Sequence, residues 1–370
     1  MENRNQKTVK QYTINYMKGR RYTVAESTFT SEECKANAIQ HFYGDTLIKD
    51  VCHSNILDFI DELHEHYANK TINEFLSILR GVFKRAELDG VIERNPMVGV
   101  KNLKTGKSKP NPFNKAELKK LHNTPAKCKS GKNAFEFDSV TGLRISEVLA
   151  LGWDDVDLEN RKLYVRRAKV LKSYKTPKTP ESLRTVELNL LAVNILKEQL
   201  KFTGNKPSIT VSVKQDDNKT FVDEEVRFVF YNSQTDAPFI HAAQFNKTFF
   251  RPFLEEAGVA HRGAGQLRHT FASQNLTAGI SKEWIAMQMG HADTAMIDKH
   301  YGEWIIDDSP DYANTSAKHL ADTFGQSLPE DDVESSKEQK IPREQLALIK
   351  ALQNQPELFA LVEKVVGSAL

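Results

Sequence analysis

Four short stretches in the second half of this 370-residue chain concentrate side chains suited to a phosphate. Thr141-Gly-Leu-Arg144-Ile-Ser-Glu147 sets an arginine and a carboxylate three apart, able to share one helical face, behind a glycine that permits a tight turn. Gln266-Leu-Arg268-His269-Thr-Phe-Ala-Ser puts a second arginine at the start of a helix, where backbone N–H groups already favour an anion. Met289-Gly290-His291 reads as a helix end with His291 in its C-terminal turn. Tyr301 stands ten residues further on, within Asp298-Lys-His-Tyr-Gly-Glu-Trp304. Taken one at a time, each stretch has an ordinary structural use: a surface ion pair, a helix cap, a half-buried aromatic.

These residues need elements to hold them. The composition is that of a globular protein, 39% hydrophobic and 27% charged, long enough for two or three domains with their own cores. Cys34, Cys52 and Cys128 lie far apart without a CxxC pair, which argues against a disulfide scaffold or a cysteine-rich zinc site. The polar start MENRNQKTVK and the lack of an 18-residue apolar run predict a soluble intracellular protein with no membrane partner. The net charge of +2 conceals a segregation: ten lysines against Glu117 between Lys101 and Lys132, and ten acids against three lysines between Glu303 and Lys340. A basic connector of this kind suits either a polyanion partner or a solubilising linker.

Along the chain, Tyr12 to Val24 alternates and turns at Lys18-Gly19, which predicts a short N-terminal β-hairpin within residues 1–30. Residues 31–100 read as helical: Ile56, Phe59, Ile60 and Leu63 share one face, as do Ile72, Phe75, Leu76, Leu79, Val82 and Phe83. Residues 101–112, lysine-rich with Pro110 and Pro112, read as a linker, and a second domain spans 113–328. In it, Asn133–Leu151 and Gly265–Gly290 are helical in pattern, and Lys162–Val170 and Arg184–Leu188 strand-like, while 207–237 has no clear period. Residues 329–370 combine an acidic stretch with two amphipathic helices, one carrying Leu346, Ile349 and Leu352, the other Leu358, Leu361, Val362 and Val365. The fold class expected is mainly α with a small β-sheet (α+β).

Together and in this order, TGLRxSE, LRHTFAS and MGH followed by a tyrosine resemble the tyrosine recombinase (phage integrase) family, over roughly residues 30–325 and most strongly 139–304. The 23 residues from Arg268 to His291 suit it. The resemblance implies a helical core-type DNA-binding domain (31–100) and a mixed catalytic domain, closing as a C-shaped clamp around DNA. It implies cleavage and rejoining of DNA through a 3′-phosphotyrosyl intermediate, as an integrase of a phage or other mobile element, with no metal and no cofactor. Tyr301 then matches the nucleophile, Arg144 and Arg268 the clamp on the non-bridging oxygens, and His291 the position that orders phosphate and nucleophile. Glu147 matches the acid that buttresses Arg144. Lys178, in Lys175-Thr-Pro-Lys178-Thr-Pro-Glu-Ser-Leu-Arg184, matches the lysine that protonates the leaving 5′-oxygen, with Lys175 in reserve.

Two departures bear on the site. The histidine that the family most often carries three residues before the second arginine is Gly265 here, so that His261, Arg262 or a water must fill the gap. The interval from His291 to Tyr301 is one residue longer than in the most familiar members. Expected DNA contacts are Arg20 and Arg21 on the hairpin, as an arm-type element; Arg80, Lys84 and Arg85 on a major-groove helix with Asn73 and Ser77; and Lys104, Lys107 and Lys109 along the linker. The partners implied are double-stranded DNA, a homotetramer assembled on it from free monomers, and accessory bending or directionality proteins, in the cytoplasm at the nucleoid of a bacterial cell. The competing readings are a type IB topoisomerase-like nicking-resealing enzyme and a catalytically silent DNA-binding derivative, the latter motivated by Gly265.

Overall fold

A computed structural model of the chain describes residues 6–106, 110–177, 182–301 and 311–325. The first element is a helix, α1 (Val9–Thr23), not the expected hairpin. Thr8 caps it: the Thr8 hydroxyl accepts from the Gln11 N–H at 3.2 Å, and Gln11 Oε1 accepts from the Thr8 N–H at 3.1 Å. Val9, Tyr12, Thr13 and Met17 are the buried positions, a helical rather than an alternating period. Gly19 sits exposed inside the helix, a loss of about 1 kcal/mol against alanine that the cap and the buried face offset.

α1 joins α2 (Glu26–Tyr43), α3 (His53–His64) and α4 (Asn69–Leu88) around one core that includes Val9, Ile39, Ile56, Phe59, Ile72, Phe75, Leu79 and Phe83. The boundary expected at residue 30 therefore falls inside α2. The apolar face read from the α4 sequence is its buried face, and each such side chain contributes about 2 kcal/mol by leaving water.

A second core, built from Phe113, Phe135, Phe137, Leu163, Val186, Phe230 and Phe250 among others, organises the region after the linker. Its elements in order are α5 (Lys115–Asn123), α6 (Lys129–Thr141), α7 (Ile145–Val148), β1 (Val156–Asp157), β2 (Lys162–Val165), β3 (Ala168–Val170), β4 (Ser173–Lys175), β5 (Arg184–Glu187) and α8 (Leu190–Thr203). They continue with β6 (Ile209–Lys214), β7 (Phe221–Val226), β8 (Tyr231–Asn232), β9 (Ala237–Pro238) and α9 (Ala242–Phe245). A π-helical turn (Asn246–Phe250), α10 (Arg251–Glu256), α11 (Gly265–Thr277), α12 (Lys282–Met289) and α13 (Ala295–Tyr301) follow.

Antiparallel β1, β2 and β5 form one small sheet, with Leu163 opposite Val186. The single strand expected over 162–170 breaks into β2 and β3 at Arg166-Arg167. Arg167 turns inward there to Asp155 (2.7 and 2.8 Å) and Glu224 (2.8 Å). β3 and β4 form a hairpin in a second sheet, ordered β3-β4-β6-β7, in which β6–β7 is a hairpin and β4–β6 the one parallel pairing. That hairpin accounts for most of the stretch without a clear period: β7 buries little besides Val226.

α14 (Tyr312–Phe324) belongs to a separate unit, in which Ala321 is buried. The amphipathic helices expected over 329–370 lie outside the described residues. Among those described, no helix is long and apolar enough to cross a membrane.

Candidate active site

Gly142 ends α6 in the left-handed conformation (φ +66°), and Arg144 is the extended residue that opens α7. A side chain at 142 would be strained by that φ, and its Cβ would lie 2.3 Å from Cδ1 of Phe271, so α11 packs against α6 only because the residue is glycine. This sharp reversal presents Arg144, whose Nη1 donates to Glu147 Oε1 at 2.7 Å. Glu147 Oε2 accepts the Arg144 N–H at 3.1 Å, so the carboxylate fixes both the backbone and the guanidinium of Arg144. Arg144 nevertheless keeps 40% of its side chain exposed, available to a ligand, whereas Glu147 is buried.

Glu147 has a second partner that its local sequence does not announce. Arg184, at the start of β5, donates from Nη2 to Glu147 Oε2 at 3.0 Å and from Nε to the Gln288 carbonyl at 2.8 Å. Burial by itself pushes the Glu147 carboxyl up, but Arg184 and Arg144 outweigh it and hold the group below its ordinary value, as a carboxylate. Gln288 lies at the end of α12, three residues before His291. Gly290 there takes the left-handed conformation, and the His291 N–H returns to the Ala286 carbonyl at 2.9 Å.

Arg268 completes the arrangement. It is buried on α11 and donates from Nη1 to the Gly142 carbonyl at 2.8 Å, while Nη2 lies 2.7 Å from Nε2 of His291. Contacts thus run in a closed circuit from Arg144 through Glu147 and Arg184 to the end of α12, on to His291 and Arg268, and back to the α6–α7 turn. Groups from α7, β5, α11 and α12 meet in one place, with hydrogen-bonded partners up to 126 residues apart.

The other positions fare differently. Tyr301 is the last residue of α13, which packs on α11 and α12 through the fully buried Ile297. Lys178 lies outside the described residues, between β4 and β5, and Lys175 ends β4. Gly265 opens α11 and is exposed, with nothing within 4 Å of where a Cβ would stand. Arg262 is not available to fill that space. It is buried, stacks over Phe113 at 4.3 Å, donates to the Pro112 carbonyl at 2.9 Å and is hydrogen-bonded to Glu117.

A scan against family models matches residues 113–303 to the phage integrase family. The chain belongs to the phage integrase family. Prophage integrase IntR of Escherichia coli K12 is 30% identical over 284 residues, 74% of this chain and 68% of that protein. Among solved structures, the Tn1549 transposon integrase in complex with a circular intermediate DNA superposes with a TM-score of 0.66. It is 23% identical, and the match covers 85% of this chain and 100% of that one. A lambda integrase tetramer bound to a Holliday junction superposes with a TM-score of 0.60 at 17% identity, covering 80% and 77%. This family member is a tyrosine recombinase, an enzyme of site-specific DNA recombination.

The integrase uses several of the expected DNA contacts internally. Arg20 donates from Nε to Glu32 at 2.8 Å, tying α1 to α2, and Arg21 lies over the Phe29 ring. α1 stands where the hairpin was expected to carry these arginines. On α4, Lys84 pairs with Glu87 at 2.9 Å and Arg85 donates to the Asn15 carbonyl. Part of the polar face expected in the major groove straps the linker. Asn73 exchanges two hydrogen bonds with Leu103 (2.8 and 2.9 Å), Asn69 donates to the Lys104 carbonyl at 2.8 Å, and Arg80 to the Val100 carbonyl at 3.2 Å. Lys101 and Lys104 are left exposed, and Lys107 and Lys109 lie outside the described residues. The far end of the linker is clipped to α11: the Asn111 N–H donates to Gln266 and the Phe113 N–H to Thr270. Sequence reasoning missed Arg184, Asn69 and the clipping role of Arg262. Arg184 follows Lys175 and Lys178 closely in the chain, but nothing local ties it to Glu147.

Proposed function

We propose that Arg144, Arg268 and His291 form the phosphate site of this recombinase, with Tyr301 as nucleophile and Lys178 as proton donor. The observation that carries the reading is the closed circuit of contacts, which brings the two arginines and the histidine together from distant parts of the chain.

In the step proposed, Tyr301 Oη forms a bond to the scissile phosphorus and the bond from phosphorus to the 5′-oxygen breaks. Lys178 gives that oxygen its proton, and the phenol's proton passes to solvent. Negative charge accumulates on the non-bridging oxygens, where the two guanidinium groups neutralise it. The phosphodiester energy is kept in the 3′-phosphotyrosyl bond, so a 5′-hydroxyl from another strand reverses the step without ATP. Glu147 and Arg184 touch no substrate in this scheme: they hold Arg144 and the α12 end in register.

The linker lysines supply salt-dependent affinity along phosphates. Four protomers acting on two duplexes make a tetramer on DNA the working form, with accessory bending or directionality proteins and the bacterial nucleoid as its setting. A DNA-binding derivative without catalysis is the second reading, favoured by Gly265 alone.

Covalent trapping tests these assignments. The wild type and Tyr301→Phe are incubated with nicked duplexes carrying the DNA that flanks the gene, then run on denaturing and native gels. An adduct from the wild type that is lost in Tyr301→Phe supports the scheme. Retention of DNA binding with no adduct from either protein supports the silent derivative.

A further inference from the structure

Asp138 lies on α6 one turn before Gly142 and is fully buried, and among the described residues neither of its carboxyl oxygens has a hydrogen-bond partner. An acid in that state needs a reason, because an ionised carboxylate out of water is costly unless a charge or a hydrogen bond compensates it. Of the elements packed on α6, α11 brings Arg268 and α7 brings Glu147 as the charges that act on Asp138. α8 contributes neutral Gln199, the π-helical turn Phe249 and Phe250, and β8 Tyr231, whose phenol burial holds above its ordinary value. Arg268 also donates to the carbonyl of Gly142, whose own N–H returns to the Asp138 carbonyl. The Arg268 charge therefore acts on Asp138 at the α6–α7 turn, where Arg268 is itself anchored.

We propose that Asp138 is a positioning residue for the phosphate clamp: its ionised form, reached at alkaline pH, is the counter-charge of Arg268 in the DNA-free enzyme, and it must hold a proton for a phosphodiester to take over that role. The inference rests on the reading of Arg268 as a phosphate ligand. Arg268 itself cannot titrate, so the charge change on phosphate binding falls on the buried acid. Burial pushes the Asp138 carboxyl well above the carboxylate range; Arg268 draws it back and Glu147 pushes it further up. A neutral Asp138 leaves the whole guanidinium charge to the phosphate, and an ionised one competes for it. Phosphate engagement is thus linked to proton uptake from solvent, and alkaline pH weakens the clamp.

The test uses the full chain as wild type, Asp138→Asn and Asp138→Leu. Adduct formation on the nicked flanking duplex is timed from pH 6 to 9, and thermal melts of the free proteins are recorded over the same range. The expected result is a wild-type rate that falls relative to Asp138→Asn by up to about tenfold per pH unit once Asp138 ionises. Wild-type stability should likewise decline with pH relative to both variants until Asp138 ionises, because the unfolded chain has already given up the proton that the folded acid holds. Adduct profiles of the same shape in wild type and Asp138→Asn would overturn the proposal, whatever their absolute rates. If the wild type binds the DNA and forms no adduct, the reading of the site fails instead; the melts then stand alone, and parallel wild-type and Asp138→Asn curves would overturn the titration of Asp138.

Discussion

Arg268 Nη2 and His291 Nε2 lie 2.7 Å apart, and a guanidinium has only donors, so Nε2 accepts and the ring proton sits on Nδ1. In this state the histidine presents no Nε2 proton to a phosphate. A phosphate oxygen that takes this Arg268 donor from His291 frees the ring to reorient or to gain a proton. Changing His291 to Ala removes this holder of the Arg268 side chain as well as a phosphate ligand. The expected loss of adduct formation is on the order of a hundredfold, with a stability change near 1 kcal/mol. Trapping rates and thermal melts on the same samples check both, and a rate within a few-fold of wild type would remove His291 from the site.

Arg184 should matter more to stability than any surface arginine. Replacing it with Met leaves Glu147 buried with only Arg144, itself partly exposed, as partner, and breaking a buried pair in this way costs about 3 kcal/mol. Adding Glu147→Gln to Arg184→Met removes the stranded charge, so the double variant should lose much less than the two single losses added together. A double-mutant cycle by chemical denaturation measures the coupling, and additive losses would mean that the two groups do not interact in solution.

The elements that carry Arg144, Glu147, Arg268 and His291 were legible because each residue sits in a local signature: a glycine turn, a helix start, a helix end. The circuit that joins them was not, since Arg184 reaches partners 37 and 104 residues away and no local period records that. The hairpin misreading of α1 has a similar cause. Tyr12, Ile14 and Tyr16 alternate in type, but Ile14 is exposed, and the buried set Val9, Tyr12, Thr13 and Met17 is helical. The α4 polar face suggests a groove-reading surface because the sequence shows which side chains are polar and not what they hold. Asn73 holds Leu103.

Two glycines in the site should respond oppositely to substitution. Gly142→Ala meets Phe271 at once and must keep a positive φ, so a loss of about 2 kcal/mol or more is expected in melts. Gly265→His has open space around its Cβ and ordinary helical geometry, so the fold should tolerate it. If a phosphate donor at that position is all the site lacks, trapping with Gly265→His should run roughly tenfold faster or more. An unchanged rate would mean that another group already performs the task.

Lys169 gives a pH signature separate from the site. Its Nζ lies 3.4 Å from the centroid of the Tyr174 ring across the β3–β4 hairpin, and burial pushes the amine down to about 8. The unfolded chain holds this proton up to its ordinary value near 10.4, so between those limits the unfolded state binds more protons and stability must rise with pH. Burial also pushes the Tyr174 phenol above its ordinary value, which makes the fold lose stability only beyond about pH 10. Wild type should therefore gain stability relative to Lys169→Met between pH 8 and about 10, while Lys169→Met, free of the buried charge, should be the more stable protein at pH 7. Denaturant melts of both proteins at half-unit intervals check this, and a wild-type-minus-variant difference that stays flat across the window would show that the amine remains solvated and does not lie packed on the ring.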